Sequence, residues 1–535
     1  EVLPTVYRLD EEMALYSPTG EDDSQNYKLG YFLKDTWEKV DADASVSTTN
    51  WDSNTLFILF HAGAGRDFDF LNTTLDRTPQ DLPSLYLNLN GIRSLSENAA
   101  FDGFSVKGFS IKNTGILPET QSRTGSFLDE EYILQLAING FVTAVAGNHI
   151  GLPDLYNTQT GSSAIGRFGL MDPEGFFAYF GLFPPLPSAW ERYYMEWDSA
   201  IDLKHDETNP INISAISLNP TNGMAKVSIN SDEYYLIENR HRDAASAGIT
   251  VNIQQPDGSQ LSKTFSASDT RFTGDDSDSL LSVLPKGVIT AVSNYDWALP
   301  GGLDAGNDGK YFTADDRLLN GGMLIWHIDE SVINSQIGQN RVNANPDRRG
   351  VALVEADGAQ DIGNATNNIF LSNVVGGTAF DFWWSGNNYT VITERGDSIR
   401  VYENRFAPDT RPSTNTNSGS YNPIELYDFS GNLAVSTFKI RPFVGELNLD
   451  TRFLNRNVNR AFRTDANSIY PREPLFYVAS ADSFIIIPSE TGLSALPFKT
   501  SISESSFLIT NRVFRQPIVY QNQLTLKFLS LKNFF

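Results

Sequence analysis

The 535-residue chain contains no cysteine. That excludes disulfides, thiolate zinc sites, iron–sulfur clusters and cysteine nucleophiles. Histidine is nearly as scarce: His61, His149, His205, His241 and His327 are the whole supply. Any imidazole metal site or imidazole general base must draw on those five. Positive charge is also short, with 40 Lys and Arg against 65 Asp and Glu, a net charge of −25. A balance this acidic argues against sequence-independent binding of DNA or RNA, which needs a basic surface. No apolar run approaches the roughly 18–20 residues that span a bilayer. The longest, at residues 56–60 and 484–487, have the length of buried strands. The first residues carry no signal-peptide pattern, so a cytosolic or an already processed chain is expected.

What is present points to a globular protein. A 40% hydrophobic and 12% aromatic content can fill sizeable cores, and the length suggests about three or four domains. Residues 401–535 carry 14 Lys and Arg against 11 Asp and Glu, which leaves 26 against 54 for residues 1–400. This shift marks the C-terminal stretch as a separate unit, while the acidic part reads equally well as a solvated surface.

The expected fold class is α+β. Residues 1–205 read as a mixed α/β domain, with helices at 27–39, from about 129 to 148 and at about 187–197, and strands at 55–60 and 84–89. The second helix opens on three acids and is apolar almost all round, so it should be buried and central, ending at Gly151 and Pro153. Residues 206–445 alternate short strands with Gly, Asn and Asp in the manner of a β-sandwich or jelly roll. Residues 446–535 form a third, β-rich stretch. Its hairpin at 475–487 is like the opening of a propeller blade, so the chain is expected to belong to something longer.

Several blocks in order carry a resemblance. They are Phe60-His61-Ala62-Gly63-Ala64-Gly65-Arg66-Asp67, Gly151-Leu152-Pro153-Asp154-Leu155-Tyr156-Asn157, Gly166-Arg167-Phe168-Gly169-Leu170-Met171-Asp172 and Pro187-Ser188-Ala189-Trp190-Glu191. Beyond them come Tyr235-Leu236-Ile237-Glu238-Asn239-Arg240, residues 322–330 (GMLIWHIDE) and residues 350–358 (GVALVEADG). Together they resemble the immune-inhibitor-A-like secreted metallopeptidases, a zincin family, over about residues 25–360. The resemblance implies a zincin-like fold and secretion by a bacterium. It also implies a helical HExxH motif just before Gly151, whose two histidines bind zinc while the glutamate activates water. Counting back places these three groups at 144, 145 and 148, where this chain has Ala144, Val145 and Asn148. Only the intervening glycine, Gly147, remains. His149 lies one residue out of register, turned about 100° away on the helix. By the same resemblance Asp154 matches a third-ligand position and Met171 the methionine turn beneath the metal, although a turn residue and a core filler would look the same.

Other chemistry is thinly represented. A zinc site from His61, His149, Asp154 and one more acid has no supporting spacing, His327 reads as a strand histidine, and no GxSxG elbow occurs. Asp304, Asn307, Asp308, Asp315 and Asp316 sit on a glycine-kinked stretch with the oxygen groups that calcium takes, and Asp275-Asp276-Ser277-Asp278 is a weaker case of the same kind. Loops of this composition are also common as plain solvated turns. Phe382-Trp383-Trp384 could stack on a sugar, against the stronger reading that at least two of the rings are core. The expectation is therefore a secreted or cell-surface pseudopeptidase without zinc. It would act as a structural or binding component toward an extracellular protein, a surface polymer or copies of itself. The alternatives are an active zinc metallopeptidase with non-standard ligands and a glycan-binding surface module.

Overall fold

The computed structural model describes residues 2–443, apart from 4, 19–22, 69–72, 97, 128–129, 220–222, 267–286, 305, 307–315, 365–374, 393–397 and 401, and five strands beyond 443. The residues fall into two compact units, Glu1–Pro442 and Phe443–Phe535. The fold is mixed α and β, built from small sheets.

Helix Tyr27–Ala42 buries Leu29, Phe32, Leu33, Trp37 and Val40, a stripe at helical spacing. The stripe joins a core with Ile92 of helix Leu89–Leu95, Phe57, Val106 and Ile111. Beside it, strand Ile58–Ala64 pairs parallel with Thr114–Thr120, whose other edge takes Leu85–Leu87 antiparallel. The strand starts and ends later than the 55–60 expected, because a register shift between His61 and Ala64 and a positive φ at Gly63 carry it through the glycine-rich exit.

The central helix is shorter than expected. It spans Asn139–Ile150, whereas Glu130–Leu134 is a strand paired with Arg123–Phe127. The acids at 130 and 131 and the apolar Tyr132 and Ile133 are exposed on this two-stranded ribbon. Ile133, Leu134 and Ala137 meet the helical period by coincidence, and pairing with 123–127 overrides it. The remaining helix buries Gly140, Phe141, Ala144, Val145 and Gly147. It lies so close to strand Thr114–Thr120 that a Cβ on Gly115 would come within 2.6 Å of Val145.

The largest sheet runs in the order Val351–Leu353, Gly321–Asp329, Glu233–His241, Met224–Ser228, Ile201–Asp202. Its two long strands pair antiparallel with Leu236 opposite Trp326, and all nine residues of each are buried. Side chains alternate between faces. Leu236, Leu324, Trp326 and Ile328 enter one core with Ala144, Leu155, Phe168, Met171 and Trp190. Tyr235, Ile237, Met323 and Ile325 enter the other with Ile213, Phe406, Leu426, Phe438 and Ile440. That second core is covered by a four-stranded sheet, Arg405–Phe406, Ile424–Tyr427, Val435–Pro442 and Ile211–Ser214. Burial on both faces explains the continuous apolar stretches at 234–237 and 323–326 within the long strands. Helix Ala189–Tyr194 abuts the first face, started by a capping box between Ser188 and Glu191. In the second unit, Leu475–Ala479, Asp482–Ser489 and Gly492–Phe498 form an antiparallel sheet, and Phe514–Tyr520 pairs with Gln523–Phe528.

Two glycines bracket the central helix for different reasons. A Cβ on Gly140 would lie 1.6 Å from the carbonyl oxygen of Phe176, whereas Gly151 has open space around it but a φ of 114°. Gly140→Ala should therefore cost about 3 kcal/mol or prevent folding, and Gly151→Ala only about 1–2 kcal/mol. Urea unfolding of both variants checks the order, and equal losses would contradict it.

Candidate functional site

Positions 144, 145 and 148, which the resemblance assigns to a zinc site, lie in a packed, hydrogen-bonded plug. Ala144 sits in the apolar core beside Leu152 and Met171, and Val145 packs on Leu117 and Phe141. A Cβ on Gly147 would come within 2.8 Å of the Met171 sulfur, so this methionine lies directly against the helix. Asn148 donates from Nδ2 to the Leu152 carbonyl at 3.1 Å and to Asp154 Oδ1 at 3.0 Å. The other oxygen of Asp154 accepts from Asn340 Nδ2 at 2.7 Å, while the Asp154 N–H donates to Asn340 Oδ1 at 2.8 Å. Burial pushes the Asp154 carboxyl above its ordinary range, opposed by hydrogen bonds from Asn148, Asn340 and Tyr156. Burial and then the charge of Asp154 raise the Tyr156 phenol in turn. The resemblance assigned 148 and 154 to one site, and here the two side chains share a hydrogen bond. It gave no sign of Asn340, which arrives from 186 residues away on a left-handed turn residue of φ 54°.

The histidines are dispersed. His61 is buried in its strand with Nδ1 3.1 Å from the Ala62 carbonyl, and burial lowers its pKa. His149 has Nε2 2.8 Å from the Asn54 carbonyl and Nδ1 3.2 Å from the Tyr86 hydroxyl. His327 meets Glu233 at 2.8 Å across paired strands. Among the described residues, only one group of three or more His, Asp or Glu brings its ligand atoms within 4.8 Å of one another, and it contains no histidine. His61, His149 and Asp154 therefore do not assemble into a site.

That one group is Glu355, Asp357 and Asp381, all buried. Glu355 and Asp357 follow strand Val351–Leu353, and Asp381 precedes the aromatic run. The Ala356 N–H donates to the Asp381 carbonyl at 3.1 Å, which locks the two segments together. Burial first, and then the neighbouring carboxylates, push Glu355 and Asp381 up, and burial does the same to Asp357. The first two residues lie in the 350–358 block of the resemblance, but no spacing in the sequence pairs them with Asp381.

Of the expected calcium ligands, Asp304 is buried with both oxygens engaged, Oδ1 by Asn388 at 3.1 Å and Oδ2 by Arg317. Asp316 is half-buried. Asn307, Asp308 and Asp315 lie outside the described residues, as do Asp275, Asp276 and Asp278. Phe382, Trp383 and Trp384 are 0%, 1% and 2% exposed, so all three rings are core and offer no stacking surface. An open cleft of about 1020 Å³ lies elsewhere, where Tyr193, Tyr194, Trp197 and Tyr234 face Asp198 and Glu330. No known family model, curated protein or solved structure matches the chain.

Asn148→Ala removes one of the donors on a buried carboxylate and should cost about 1–3 kcal/mol in urea unfolding; an unchanged midpoint would contradict the plug. Glu233 yields a pH dependence. Burial raises its pKa, but hydrogen bonds from His327 and the Asn417 N–H outweigh this and hold it below its ordinary value of 4.5. A lowered folded pKa contributes stability above the ordinary value and loses it as pH falls through the folded value. Melting temperature should therefore fall more steeply for the wild type than for Glu233→Gln between about pH 5 and pH 3.

Proposed function

We propose that the chain is a pseudopeptidase, a zincin-like scaffold without zinc or general base that serves as a binding or structural component of an extracellular assembly. The carrying observation is the plug at Ala144, Val145 and Asn148. The amide of Asn148 stands where a second histidine would, and it is committed to Asp154 and the Leu152 carbonyl. Without a glutamate at 145 there is no group to activate water there, and without imidazoles at 144 and 148 the helix offers no nitrogen ligand on its inner face. The open cleft beside helix Ala189–Tyr194, with Tyr194 and Trp197 exposed and carboxylates at Asp198 and Glu330, supplies groups suited to binding.

The test is a zinc measurement on the whole chain, dialysed against micromolar zinc, together with hydrolysis of casein and gelatin. Substoichiometric zinc and no chelator-sensitive cleavage are expected. One zinc per chain with cleavage that a chelator abolishes would overturn the proposal.

A further inference from the structure

Buried carboxylates elsewhere in this fold are surrounded by donors. Asp172 accepts from the Ser163 hydroxyl and from the N–H groups of Ala164, Ile165 and Glu174. Glu191 accepts from the N–H groups of Leu170, Met171 and Ser188. Glu238 takes the Trp326 indole, the Ala189 N–H and the Arg192 guanidinium. Such saturation offsets the cost of taking a carboxylate out of water.

The group at Glu355, Asp357 and Asp381 departs from that pattern. Each carboxylate has one backbone donor: Asp361 N–H on Glu355 at 2.7 Å, Ala359 N–H on Asp357 at 2.9 Å and Thr378 N–H on Asp381 at 2.6 Å. Oδ1 of Asp381, a residue with no solvent exposure, takes no N–H or hydroxyl donor among the described residues, and the carboxyl meets that of Asp357. Arg349, whose charge acts on Glu355, spends its terminal N–H groups on the carbonyls of Ala164 and Ile362. Three carboxyls thus converge on one point with too few donors to hold them all ionised.

We propose that Glu355, Asp357 and Asp381 form a calcium site, with Asp361 at its rim. Calcium binds oxygens at about 2.3–2.6 Å, so ligands on opposite sides of the ion lie no more than about 5 Å apart, and the three carboxylates meet that limit with ligand atoms within 4.8 Å. The donor set is oxygen alone, which suits a hard cation. An ion here also supplies Asp381 Oδ1 with the partner that no N–H or hydroxyl provides. Asp361 is only half-buried and so connects the site to solvent. The position has structural weight, because Phe382 belongs to the first core and Trp383 to the second. A cation bridging Asp381 to Glu355 and Asp357 ties the exit of strand Val351–Leu353 to the segment shared by both cores.

The experiment uses the whole chain stripped with a chelator. Adding calcium at about 1–5 mM, above the roughly 0.1–1 mM dissociation constants of weak calcium sites, should raise the melting temperature by a few degrees. Equilibrium dialysis should find a calcium ion that Asp381→Asn loses together with the thermal shift. In chelator, Asp381→Asn should melt no lower than the wild type, since it removes a repelling charge; a structural role for Asp381 without an ion would lower it. Asp257→Asn, which alters an exposed turn carboxylate outside the group, should keep the calcium response. If Asp381→Asn does not fold, Asp361→Asn serves in its place and should weaken calcium binding several-fold. Absence of any shift or binding, or a full response in the Asp381 and Asp361 variants, would overturn the site.

Discussion

The architecture depends on one carboxylate and one guanidinium placed two residues apart on a fully buried strand. Glu238 and Arg240 both point from strand Glu233–His241 into the first core, and neither has any solvent exposure. Charges in that position are tolerated only when their hydrogen-bonding capacity is filled. Glu238 is filled by Trp326 at 2.8 Å, the Ala189 N–H at 3.1 Å and Arg192 at 3.0 Å. Arg240 is filled by Asp296 and by the carbonyls of Leu186, Pro187 and Phe168. These bonds have direction, which apolar contact lacks. They therefore fix where helix Ala189–Tyr194 and the Phe168–Pro187 segment sit on the sheet, and through Met171 where the central helix lies.

The same geometry explains what could be read from the sequence and what could not. Helix Tyr27–Ala42 announces itself by a stripe of apolar residues, and Gly151 marks its helix end by a conformation that glycine adopts readily. The two nine-residue strands show apolar stretches at 234–237 and 323–326 because both faces are covered. Local pattern failed at Glu130–Leu134, where a hairpin with Arg123–Phe127 overrode a few residues at helical spacing. The residues at 144, 145 and 148 could be named in advance because that takes only counting within one helix. Asn340 and Asp381 could not, since each reaches its partners through the fold and carries no local spacing signal.

The asparagine at 148 sets the electrostatics of the plug. Asp154 would face a cation if the helix carried histidines and a metal. Here it faces two neutral amides and a phenol, and burial raises its pKa. An amide donor stabilises either state of the carboxyl without bringing a charge, so the site can close around Asp154 and pack Met171 beneath the helix. The result is a rigid junction between helix Asn139–Ile150, the turn at Asp154 and the turn at Asn340.

Apart from the one at 60–67, the blocks that carry the zincin resemblance are linked to one another by hydrogen bonds. Glu191 of the block at 187–191 accepts from Leu170 and Met171 of the block at 166–172. Glu238 of the block at 235–240 accepts from Ala189 and from Trp326 of the block at 322–330. The Leu155 carbonyl, in the block at 151–157, and the Val351 carbonyl, in the block at 350–358, both accept from Asn343. None of these bonds requires a metal. Removing any one partner would leave a buried polar group unsatisfied, at a cost of about 1–3 kcal/mol, whereas replacing the residues at 144, 145 and 148 leaves this network intact. A chain can therefore lose the chemistry of such a helix while the acids and arginines around it stay in place for structural reasons alone.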